Sequence, residues 1–248
     1  MFSSDMFHWD LALILALLAI VVPWMGRRRI QQLMRMPETT KAERLALYAS
    51  TIAFQWLVSA IVFWRITADR IPAWTLGLDI SRPALTGAVA IGLAVVIFAN
   101  QLYSLRRLPV TDPGESRVLI QLALKVFPQD NPERLAFFAV VVTVAICEEW
   151  IYRGFVQTTL RDWGGSAISG ILGSALLFAG AHLYQGRRGL ISTFAIGVIF
   201  SVVRFWTGSL VPSVAAHFVA DLTAGYWSPS SVRSLARQDQ PGSGCRGE

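Results

Sequence analysis

The sequence predicts an all-α protein, a polytopic transmembrane helix bundle of about seven spans. Three observations carry this. Hydrophobic residues make up 54% of the 248 and charged residues only 15%, with a mean hydropathy of +0.48, which is more apolar than a soluble domain of this length. Apolar runs long enough to cross ~30 Å of hydrocarbon recur along the chain, separated by short charged loops. The loops alternate between rich and poor in Lys and Arg, as the positive-inside rule requires of successive spans.

Taken in order, residues 1–8 carry no Lys or Arg, and the apolar run from about Trp9 to Gly26 precedes Arg27-Arg28-Arg29. A secretory signal places its positive charge before the apolar core. The reverse order here predicts an uncleaved first span with its N-terminus outside. Span two is about Leu45–Trp64, span three about Ala84–Leu105. The stretch Val118–Phe127 is too short to cross and reads as an interfacial helix. Span four is the run from about Leu135 to Leu160, span five about Gly165–Leu183, span six about Leu190–Trp206 and span seven about Leu210–Trp227. Ser228–Glu248, rich in Ser, Gly, Gln and Arg, reads as a disordered tail. On this threading the inner loops and the tail collect sixteen Lys and Arg and the outer side five, leaving Arg153 alone inside a span. The C-terminus is then cytoplasmic. The +6 net charge follows from the same placement, so no nucleic-acid partner is expected. The organisation reads as N-terminal spans over residues 1–130, a catalytic core over 131–227 and the tail over 228–248.

Span four holds the chemistry. Glu148, Glu149 and Arg153 sit near its middle, where each charge costs about 2.5–3.5 kcal/mol to insert. Glu149 and Arg153 are four apart and share a helix face, which pairs them as a structural ion pair. Glu148 is rotated by about 100° and is left to face a cavity, where a poorly solvated carboxylate suits a general base. His182 closes span five. His217 and Asp221 share one face of span seven, again four apart. Three spans thus each contribute acid–base groups. Gly165, Gly170, Gly173 and Gly180 let span five approach its neighbours closely.

Glu148-Glu149-x-x-x-Arg153, Phe178-x-x-x-His182 and His217-x-x-x-Asp221, in that order on successive polar-bearing spans, resemble the three motifs of the CPBP family, the CAAX proteases and bacteriocin-processing (Abi) enzymes. The resemblance covers roughly residues 131–225 and implies intramembrane hydrolysis of a peptide bond. By that carry-over Glu148 and His182 activate water, and His217 with Asp221 stabilises the oxyanion. The prenyl-protein-processing members often carry Asn at the position of Asp221. An ionised Asp cannot donate to an oxyanion, so orienting His217 is the role left to Asp221. The resemblance favours a glutamate mechanism with no metal. The alternative is zinc on Glu148, His182, His217 and Asp221, a suitable ligand set in type, although no His-Glu-x-x-His element is present.

The partners expected are the lipid bilayer and a membrane-associated peptide or protein substrate. The compact, Arg-rich chain reads as a prokaryotic cell-membrane protein, a setting that does not call for a prenylated substrate. Cys147 reads as a small apolar filler, and Cys245 lacks the aliphatic residues that prenylation requires. Two other classes compete: a transporter or proton channel built on the same Glu, His and Asp, and a catalytically idle immunity or scaffold protein. Close Glu-Glu-Arg spacing and the lack of an internal repeat weigh against the first. Against the second, every catalytic position of the motifs is filled.

Overall fold

The computed structural model describes residues 9–107 and 121–238. Among them the chain forms seven main helices: α1 Trp9–Arg35, α2 Lys41–Ala68, α3 Pro83–Arg107, α4 Asn131–Gly164, α5 Ala167–Ala181, α6 Gly186–Thr207 and α7 Val211–Gln238. Five helical stretches, α1 to α4 and Leu183–Thr207, which contains α6, are long and apolar enough to cross a membrane. The chain is thus a polytopic helical bundle, an integral membrane protein by its apolar helices. Residues 121–126 are helical, inside the expected interfacial segment, whose first residues lie outside the described ones. α7 continues past Trp227 to Gln238, into the stretch expected as disordered tail. Residues 239–248 lie outside the described residues.

Local sequence explains where the helices start and stop. Thr40 and Glu43 form a reciprocal capping box at the start of α2. Asp130 caps α4, its carboxylate accepting from the Glu133 backbone N–H at 2.9 Å. Gly165, at φ 64°, ends α4 in the left-handed conformation that glycine adopts without strain. Ser166 then caps α5.

α4 is the central element. It packs against α2, α5 and α7, while α7 lies along α3 and α5 along α6. The main core joins α1, α2, α4 and α5 through Leu11, Leu18, Val62, Phe155 and Phe178. Gly170 and Gly173 meet α4: a Cβ at Gly170 would stand 2.5 Å from the Gln157 carbonyl, and one at Gly173 would stand 2.5 Å from Leu160. Gly180 meets nothing within 4 Å, so it plays no part in that close approach.

Polar clamps tie the ends of the helices. Arg44 of α2 and Glu133 of α4 form a buried ion pair at 2.8 Å, and Lys41 reaches Asp130 at 2.5 Å. Lys125 donates to the Leu33 and Met34 carbonyls at 3.0 and 3.3 Å, satisfying the exposed C-terminal end of α1. At the other end of α2, Arg65 pairs with Asp10 of α1 and with Asp69.

Candidate active site

α4 does not run as a regular α-helix. From Glu149 to Val156 it widens into a π-helical stretch, a feature often found at functional sites. The regular helix expected from the sequence is therefore corrected here. Gly154 lies in the widened stretch, where the Leu76 carbonyl would stand 3.3 Å from any added Cβ. Glu148 is the last residue of the preceding α-helical part. Glu149 and Arg153 still meet, because four residues remain close to one full turn.

Glu149 and Arg153 are fully buried and pair at 3.0 Å. The arginine is further accommodated by rings: its guanidinium lies 4.1 Å from the centroid of Phe178 and 5.4 Å from that of Phe200. Those π faces stand where Nε and Nη2 find no hydrogen-bond partner among the described residues. The same Glu149 oxygen lies 2.9 Å from His217 Nδ1. A carboxylate only accepts, so Nδ1 carries the proton and donates it. The ion pair of α4 therefore also orients the histidine of α7, a link that helix spacing alone did not reveal.

With Nδ1 so held, His217 Nε2 points toward two carboxylates. It lies 3.9 Å from Glu148 Oε2 and 3.6 Å from Asp221 Oδ2. Asp221 is the most exposed of the group, at 37%, against 13% for Glu148 and 8% for His217. His182 stands at the end of α5, its Nδ1 2.8 Å from the Phe178 carbonyl. That oxygen only accepts, so Nδ1 bears the hydrogen and Nε2 is free to take a proton. The Phe178 ring lies between the two histidines, with centroids 4.8 Å from His182 and 5.9 Å from His217.

Glu148 and His182 line one cavity of about 740 Å³, together with Gln55, Tyr152, Tyr184 and Arg29. A larger cavity of about 1000 Å³ runs along Cys147 and Trp150, but no carboxylate or histidine lines it. Of the four expected site residues, His217 and Asp221 line neither, and Glu148 and His182 line the smaller cavity. Within it, Gln55 Nε2 of α2 donates to Glu148 Oε1 at 2.7 Å. The motifs did not point to Gln55. One signal was available: it is the sole amide side chain in the apolar run 45–64, and polar residues inside spans are rarely idle.

Among the described residues, no group of three or more His, Cys, Asp or Glu side chains is arranged to hold a metal ion. His182 and His217 are each held at Nδ1, by the Phe178 carbonyl and by Glu149, which leaves Nε2 of both rings open.

Comparison with known proteins gives the following. Residues 130–223 match the family described as type II CAAX prenyl endopeptidase Rce1-like, a protease family. The chain is also 28% identical over 99 residues to the uncharacterized protein YpbD of Bacillus subtilis (strain 168), covering 39% of this chain and 47% of that protein. The match thus spans about half the length of this relative. No solved structure matches.

Proposed function

From the premise that residues 130–223 form a CPBP-family segment of the Rce1-like type, we propose that the protein is an intramembrane endopeptidase. It hydrolyses a peptide bond of a membrane-associated protein or peptide. The observation that carries the reading is the convergence of Glu148, His217 and Asp221 within 3.9 Å, beside the cavity that His182 also lines.

The reaction divides as follows. Glu148 takes a proton from water, and the oxygen attacks the scissile carbonyl. His182 assists through Nε2, the nitrogen left free when Nδ1 binds the Phe178 carbonyl. The carbonyl electrons move to oxygen, and His217, in the imidazolium form with a proton on each ring nitrogen, donates from Nε2 to stabilise that charge. Asp221 lies beside Nε2 and Glu149 holds Nδ1, so the ring is oriented from both ends. Glu148 then passes its proton to the leaving nitrogen as the C–N bond breaks. Glu149 and Arg153 build the floor of the site and take no proton. In this reading the enzyme uses no metal and sits in a prokaryotic cell membrane, N-terminus outside and C-terminus cytoplasmic.

The test uses the purified full chain in lipid nanodiscs with a library of internally quenched octapeptides. Cleavage by the wild type and none by Glu148→Gln is expected. A library left intact by both, or cut equally by both, would overturn the reading.

A further inference from the structure

The segment that matches the protease family does not complete the site by itself. Glu148 Oε1 is held by Gln55, a residue 93 positions earlier, on a helix outside residues 130–223. A carboxylate accepts only, so the amide nitrogen of Gln55 is the atom that faces it. At 2.7 Å the contact has the length of a hydrogen bond to an ionised group. The second oxygen, Oε2, has no hydrogen-bond partner among the described residues and lies 3.9 Å from His217 Nε2.

We propose that Gln55 is a positioning residue: it fixes Glu148 with one oxygen engaged and the other turned toward His217 and the reacting water. The inference rests on the protease reading above. The physical reason lies in the two distances. A carboxylate freed of Gln55 can turn about its last bonds and close the gap to His217. Base and oxyanion donor would then bind each other, and neither would meet the substrate. Gln55 keeps them apart while Glu148 stays in the cavity wall that Gln55 also lines. Its neighbours Phe54 and Val58 line the cavity as well, so α2 forms the wall facing α4. Interhelical hydrogen bonds in membranes contribute modestly to stability, so the value of this one lies in geometry. A shift of about 1 Å at a catalytic group lowers rate by as much as about 100-fold.

Two substitutions separate positioning from packing. Gln55→Met keeps the volume and loses the donor; Gln55→Glu keeps the shape and sets a second carboxylate against Glu148. With the nanodisc preparation and the octapeptide library, Gln55→Met should lower kcat by about 100-fold with KM within about twofold. Gln55→Glu should lower it further. A melting-temperature cycle provides a readout that needs no activity. The shifts of Gln55→Met and Glu148→Met should fail to add in the double variant, because each removes the same hydrogen bond. Additive shifts would overturn the contact. An unchanged kcat, or a raised KM with kcat intact, would overturn the positioning role. A wild type that cleaves no library member overturns the protease reading and with it this role, while the melting cycle still reports whether Gln55 and Glu148 touch.

Discussion

Removing one member of the Glu149–Arg153 pair should damage the protein in two separable ways. Both side chains are 0% exposed and meet at 3.0 Å, so Arg153→Met leaves a buried carboxylate that has lost its arginine and keeps the bond to His217. Breaking a buried pair from one side costs about 3–5 kcal/mol, whereas replacing both partners by apolar groups of similar volume is often near neutral. Arg153→Met also forfeits the stacking on Phe178 and Phe200, which adds about 0.5–2 kcal/mol. Glu149→Gln and Arg153→Met should therefore each lower the melting temperature strongly in detergent or nanodiscs. The double variant should recover much of the loss. Activity should not follow. His217 Nδ1 depends on Glu149, so the double variant stays impaired in turnover at temperatures where it remains folded. Thermal melting with parallel peptide-library assays measures both. Additive melting shifts, or a double variant restored in turnover as well as stability, would refute the argument.

Other expectations are more local. His182→Ala should lower turnover by about 10²–10⁴-fold, as expected for loss of an acid–base group, with melting nearly unchanged because the side chain is only half-buried at a helix end. Gly170→Ala should destabilise by about 1–3 kcal/mol through overpacking, since its Cβ would meet the Gln157 carbonyl at 2.5 Å. Gly180→Ala, with open space around it, should not. At the start of α4, the Lys41 ammonium hydrogen-bonded to Asp130, helped by the Glu133 backbone N–H, holds the Asp130 carboxyl below its usual range. The sign follows: the stabilisation is present above the ordinary carboxylate value and is lost as pH falls through the depressed one. Asp130→Asn keeps a capping residue but not the charge. The gap in melting temperature from wild type should be full at neutral pH and close in acid.

Much of this architecture was legible in the sequence. Apolar run length and loop charge located the helices, because bilayer thickness fixes the first and insertion the second. Glu148, His217 and Asp221, which the structure brings together, stood out in the sequence because ionisable groups are costly at membrane depth. Four features were not legible. The π-helical stretch from Glu149 to Val156, which packs against α5 and approaches the Leu76 carbonyl at Gly154, is encoded by no local pattern. The bond from Gln55 to Glu148 joins helices 93 residues apart, and a single amide in an apolar run carries no address. The Glu149–His217 bond was hidden for a similar reason: i,i+4 spacing predicts partners on one helix, not across to α7. The four glycines of span five looked alike in sequence, yet only Gly170 and Gly173 face α4.

The most direct test of the central claim compares membranes from cells expressing wild type and Glu148→Gln at matched abundance, by terminal-peptide mass spectrometry. The account predicts new peptide ends that appear only with the wild type, at sites within or beside membrane-spanning segments. Identical sets of ends in the two samples would contradict it.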